Sequence, residues 1–480
     1  MQFANTKKTK KTNKIKMIKK AVPVIILALS CLLTSCKAPI ADAQTTDSDA
    51  TGATSPATDT VNATGKSDPT IGYKAWQTFP DEMPTLEIRT QGALAITSKT
   101  DYLTASVSLD EPLGKYDFDR LAAKIRCRGN WSYYGTGFDK KAYRLKFDKK
   151  INLLGIGRGA DKDWVLLANY VDHSLLRNAC GLAAARVFDS IDYVSPSAWV
   201  RLVINGEDRG VYQLCAQSEI GKWRIDIRED ARDLDGNYLI ELDSRAAKQG
   251  KKENIEYFTS GGRSFVIKND EYHEGAALFL KDYFNRAFAA LKGGDRSVIE
   301  EYFELESFAQ MYILQEFVKN PDVGWSSFFI VKRAGGKLSL TCPWDLDLAF
   351  GNYIAYNCRY SSGLFVGNDG YADSDNANPF FTSLCSLDFF MSDYVSVAWD
   401  KYGQAMVDAA LCEMDRVLAA YKDEFSANFD IWKLQGTSVY PCPDSVATLP
   451  DLDSSIEALR TWINERSAWM EKYFAKSSST

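Results

Sequence analysis

Histidine is nearly missing from these 480 residues, with His173 and His273 the only two. A Ser-His relay or a multi-histidine metal centre is hard to build from that supply, so chemistry must rest on carboxylates, lysine and arginine. Nor do the cysteines cluster. Past Cys36 the eight that remain, Cys127 to Cys442, form no CxxC or CxH pair, which argues against structural zinc or an iron-sulfur centre. Their spacing is irregular and the chain is long enough to stand without cross-links, so buried thiols are as good an expectation as disulfides.

Acids are absent from positions 1–35, which hold eight lysines and then a nearly unbroken apolar run, Ala21 to Leu33. The run is shorter than the ~20 residues of a membrane span and reads as an export signal. Leu33-Thr34-Ser35-Cys36 fits the site where a lipoprotein leader is cut once the thiol is lipidated. Cys36 is therefore expected to carry a lipid that holds the protein at the outer face of a bacterial membrane. Without the leader, 49 basic residues face 63 acidic ones, a formal charge near −14 that makes nucleic acid an improbable partner. The next segment, 36–70, is rich in Thr, Ser, Ala and Asp with almost no large apolar residue, and reads as a flexible tether. Aromatic and apolar residues become frequent from Ile71, leaving roughly 400 residues, 71–480, for one large domain.

Apolar and polar residues alternate in Pro84–Arg89, Tyr102–Leu109, Ala123–Arg128 and Lys141–Phe147, which predicts strands, the last two joined by a turn over Gly129 to Gly137. Asp172 to Arg186 has helical spacing with Asp172 as N-cap. Ala198–Leu214 reads as a hairpin around Asn205-Gly206. Strands at Tyr238–Asp243 and Ser264–Lys268, helices at Gly275–Lys292 and Leu305–Val318, a hairpin over Ser326–Thr341 and mostly helix from Tyr394, ending in Ser454–Phe474, complete the pattern. The expected class is α+β. The order matches a two-lobed kinase, with a small strand-rich lobe over about 84–235 and a large, mainly helical lobe over about 236–475.

Phosphoryl transfer needs a cation on the phosphates, carboxylates to hold metal and a carboxylate near the attacking hydroxyl. Lys146 lies on the strand after the glycine-bearing turn, where a kinase keeps its phosphate lysine, and the Arg128-Gly129-Asn130 turn is placed to cover a nucleotide. Lys319-Asn-Pro-Asp322 closes a helix, and Asp345 follows the next hairpin within Pro343-Trp-Asp-Leu-Asp-Leu-Ala-Phe-Gly351.

These residues resemble the CotH kinase family of secreted or spore-coat atypical protein kinases. The likeness runs from Pro84 to about Phe474 through seven ordered segments: Arg128–Asn130, Lys141–Phe147, Asp163–Asn169, Asp172–Asn178, Asn205–Tyr212, Lys319–Asp322 and Pro343–Gly351. It implies ATP with Mg²⁺ or Mn²⁺ as cofactors and cell-surface or extracellular proteins as substrates. Asp322 would be the catalytic carboxylate, Asp345 the metal ligand with Asp347 as a second candidate, and Lys146 the phosphate lysine, or Lys141 if the strand register differs. Arg128, Asn130 and Arg177 are further candidates for the nucleotide. Two positions depart from the family pattern: Ala216 stands where many members have Glu, and Ser327 where some have a metal-assisting Asn, although a hydroxyl still offers an oxygen.

Plainer roles compete at several positions. Lys146 equally suits a solvated edge strand, Arg177 an ion pair with a neighbouring acid, Asn169 and Asp172 helix capping, and Phe380, Phe381, Phe389 and Phe390 a core. Besides an active kinase, a non-catalytic surface adhesin or scaffold on the same fold fits the sequence. A glycan-handling enzyme with paired carboxylates has no motif beyond the acids.

Overall fold

The computed structural model describes residues 82–134, 139–248, 255–367 and 376–477. The leader, Cys36 and the tether to residue 70 lie outside these residues. Among the described residues no helix is long and apolar enough to cross a membrane.

Seven strands close into a barrel: β1 (Thr85–Thr90), β2 (Leu103–Asp110), β3 (Phe118–Cys127), β4 (Tyr143–Ile151), β5 (Asp161–Leu167), β6 (Ser197–Ile204) and β7 (Glu207–Ala216), in the order β1-β2-β3-β4-β5-β7-β6. Neighbours are antiparallel until β6 returns parallel to β1, Leu86 opposite Leu202, and removes the open edge. The two-residue side-chain period fills the barrel. Leu86, Ile88, Val107, Leu109, Ile125, Leu145 and Phe147 point inward and are buried, while Glu87, Lys124 and Lys146 alternate outward.

A second, five-stranded sheet has the order β12-β11-β8-β10-β9, built from β8 (Tyr238–Leu242), β9 (Tyr257–Ser260), β10 (Arg263–Ile267), β11 (Phe328–Lys332) and β12 (Leu338–Thr341). The barrel and this sheet meet in a small core of their own. Val165 and Leu167 of β5 and Cys215 of β7 pack there with Leu239, Phe329, Val331 and Trp344. This contact explains why β5 and β7 are buried on both faces, unlike β1 or β4.

The longer helices are α1 (Arg177–Ala185), α2 (Ala276–Gly293), α3 (Arg296–Tyr302), α4 (Leu305–Val318), α5 (Ser396–Trp432) and α6 (Leu452–Ser477). Helix α4 is buried over nearly its whole length, so its apolar residues surround it rather than forming a stripe. Helix α5 packs back onto α1 and the barrel. Trp199 meets Phe425, and Asn428 Oδ1 accepts from Val211 N at 3.2 Å. Phe380, Phe381 and Phe390 are fully buried, with Phe380 ringed by Phe265, Phe284, Phe288, Phe303 and Phe308. No disulfide joins the eight cysteines among the described residues.

The helix expected from Asp172 starts five residues later. Leu175 adopts a left-handed conformation, φ 62°, which a helix cannot accommodate. The N-cap position is therefore Leu176, not Asp172, although the Asp172 carboxylate still reaches the helix start, accepting Ser174 N at 3.0 Å and Arg177 N at 2.8 Å.

Candidate functional site

Four connections converge on one cleft: β3 to β4, β5 to α1, α4 to β11, and the segment leaving β12. Arg128, Asn130, Asn169, Asn178, Asp322, Asp345 and Asp347 line a pocket of about 100 Å³ between them. The ordered sequence motifs are thus one place in space.

Asparagine side chains and close backbone approaches hold these segments together. Asn178 on α1 accepts Leu346 N through Oδ1 at 2.7 Å and donates through Nδ2 to Asn169 Oδ1 at 2.9 Å. Asn352 Nδ2 donates to Val171 O at 3.0 Å and Asp347 O at 2.8 Å. A Cβ at Gly181 would collide with Leu346 Cδ1, so glycine is what lets the acidic segment rest on α1. On the other side, Lys319 ends α4 in a left-handed turn and donates its Nζ to Ser362 O at 2.7 Å and Asn357 O at 3.3 Å. Asn320 Oδ1 accepts Asp322 N at 3.1 Å. Lys319, Ser327, Cys342, Asp345 and Phe350 all have positive φ, between 46° and 63°, a concentration of backbone strain that surrounds the acids.

The acids perturb one another. Burial pushes the Asp322 carboxyl up to about 7, helped by the charges of Asp345 and Asp243 and opposed by Arg245. Asp347 lies well above the usual carboxylate range because of burial first, then Asp345, Asp172 and Asp322. Arg128, its guanidinium 5.6 Å from the Trp344 ring centre, is the cation among them; burial lowers its pKa and Asp345 partly restores it. Ser327 Oγ lies 3.3 Å from Asp345 Oδ2, and Ser327 N donates to Glu241 Oε1 at 3.3 Å.

Among the described residues, no three His, Cys, Asp or Glu side chains are grouped closely enough to hold a cation by themselves. The donors fit an ion that shares its coordination with phosphate oxygens, the usual habit of Mg²⁺, since two mutually repelling carboxylates line a pocket with little positive charge and a hydroxyl lies against one of them.

Lys146 does not join this pocket. Strand alternation turns it outward, where it is half-exposed and pairs with Asp163 at 3.3 Å. Lys141 is held by Tyr133 O at 3.3 Å and also stands outside the pocket lining. Arg177 is wholly buried in an ion pair with Asp172, Nη1 to Oδ1 at 2.5 Å, so its charge is spent beneath the site. Asn130 lines the cleft and accepts from Lys99 Nζ.

Several neighbours of the site escaped the sequence reading. Arg144 pairs with Asp163 at 2.9 Å and Glu219 at 3.2 Å, so Glu219 brings a carboxylate three residues beyond Ala216. Lys268 pairs with Glu241 at 2.9 Å, and Arg245 faces Asp322 from the end of β8. Glu241 had a signal: it is an acid inside the wholly buried strand Tyr238–Leu242. Arg144 sits in an ordinary alternating strand and Lys268 just past the end of β10, and neither carries one.

Compared with known families, residues 125–470 match the description CotH kinase protein. The match spans well over half of the chain, and the chain belongs to that family. No curated relative matches it.

Proposed function

We propose that this member of the CotH kinase family is an exported, lipid-anchored kinase of two-lobed type that transfers the γ-phosphoryl group of ATP to hydroxyls of extracellular or cell-surface proteins. The observation that carries the reading is the convergence of Asp322, Asp345, Asp347 and Arg128 on one pocket. Asp345, with Ser327 and Asp347 beside it, would hold Mg²⁺ or Mn²⁺, whose charge offsets that of the phosphates. Arg128 supplies a protein cation to the same phosphates. Asp322 orients the acceptor hydroxyl and takes its proton as the oxygen bonds to phosphorus and the bond to the leaving ADP oxygen breaks. A carboxyl near neutrality suits that task better than a strong acid does.

A second reading, a kinase-like surface scaffold without catalysis, draws on the outward-facing Lys146 and on Ala216. Thermal shift with ATP and Mn²⁺ separates the two. Ligand at a hundred times its dissociation constant stabilises a competent site by ~2.7 kcal/mol, and Asp345→Ala should abolish the effect. A wild type that does not respond sinks the kinase reading in favour of the scaffold.

A further inference from the structure

The pocket holding the acids opens into a second, wider one, and the two share Asn130, Asp322, Asp345 and Leu348. Arg128, Asn178 and Asp347 belong to the inner half alone. The outer half is walled by Tyr134, Trp325, Tyr353 and Tyr440, with Arg245 as the one cation among its described lining residues. Tyr134 and Tyr440 are each 69% exposed, and large rings gathered at the mouth of a cleft mark a binding surface.

Arg245 is held in a fixed plane. Its Nε donates to Asp243 Oδ1 at 2.8 Å and its Nη2 to Oδ2 at 2.9 Å, which leaves Nη1 with no protein partner among the described residues. A guanidinium fixed in this way can accept a carboxylate from outside with little further ordering.

We propose that the outer pocket is the acceptor site: it takes an extended, hydroxyl-bearing peptide and reads an acidic residue beside the acceptor through Arg245 Nη1. The inference rests on the phosphotransfer reading, which places the nucleotide in the inner half. Asp322 and Asp345 lie on the shared wall, so a hydroxyl must reach them from the side opposite the phosphates. On that side the aromatic walls suit a peptide backbone, and the Arg245 guanidinium suits an acid.

The probe is a synthetic peptide of residues 44–60 of this chain, in which Thr46, Ser48, Thr58 and Thr60 adjoin Asp47, Asp49 and Asp59. A second peptide replaces those three aspartates by asparagine. Calorimetry on the full-length protein should find the acidic peptide bound about tenfold more tightly, a factor within reach of one charge-assisted contact. Arg245→Gln should erase the difference, and Arg245→Lys should retain part of it. Equal binding of both peptides, binding of neither, or an Arg245→Gln variant that loses ATP instead of peptide discrimination would overturn the proposal. Failure of the kinase reading shows separately, as a wild type that ATP and Mn²⁺ do not stabilise.

Discussion

Replacing Asn178 by alanine tests how the acidic segment is held. Asn178 is 4% exposed, and its carboxamide makes two hydrogen bonds, to Leu346 N at 2.7 Å and Asn169 Oδ1 at 2.9 Å. Alanine leaves both partners buried and unpaired. Each such group costs about 1–3 kcal/mol, so the unfolding free energy should fall by about 2–6 kcal/mol. Because Leu346 lies between Asp345 and Asp347, loss of its anchor should also blunt the stabilisation by ATP and Mn²⁺. Urea denaturation followed by tryptophan fluorescence measures the first effect, and thermal shift the second. Asn178→Asp retains the acceptor but loses the donor, and should fall between alanine and the wild type in nucleotide response. A loss below about 0.5 kcal/mol with the nucleotide response intact would show that Asn178 does not anchor the acidic segment.

Four further substitutions probe other parts of the site and its supports. Gly324→Ala places a methyl group on the backbone oxygen of Asn376, which cannot swing aside, and should lower stability by about 1–3 kcal/mol in urea while depressing transfer through the adjoining Asp322. Burial lowers the Lys319 ammonium from 10.5 to about 7. The unfolded chain therefore holds a proton that the folded one has released between those values, and stability from this group rises with pH across that window and is flat below it. Lys319→Met should remove that slope; parallel stability profiles for variant and wild type from neutral to about pH 9 would contradict the assignment. Lys146→Ala, which breaks only a half-exposed pair, should cost less than ~1 kcal/mol and leave ATP binding unchanged, whereas Arg128→Met should weaken it in the same titration.

Local elements were legible where the two-residue or helical period is strong. Leu305–Val318 is helical over the expected range, and the Asn205-Gly206 hairpin lies where its turn requires, with Asn205 at φ 53°. Closure of the barrel was not legible. The parallel pairing of β1 with β6 joins residues more than a hundred positions apart, and nothing local to Leu86 or Leu202 specifies it. At the site, Asp322, Asp345 and Arg128 could be named because charges in apolar or glycine-bearing segments stand out. Lys146 and Arg144 occupy one strand face two residues apart, and only the position of Glu219, fixed by the tertiary fold, puts Arg144 in the deeper pairing. Arg177 illustrates the same limit: its sequence context fits a phosphate ligand and a buried ion pair equally, and burial against Asp172 decides for the pair.

Phosphotransfer itself is read by following radiolabelled γ-phosphoryl from ATP to protein hydroxyls, with Mn²⁺, for the wild type, Asp322→Asn and Asp345→Ala. The wild type should transfer the label. Both variants should lose it by at least about a hundredfold, with ATP-dependent stabilisation kept in Asp322→Asn and lost in Asp345→Ala. Absence of transfer by the wild type, or undiminished transfer by Asp322→Asn, would contradict the kinase reading.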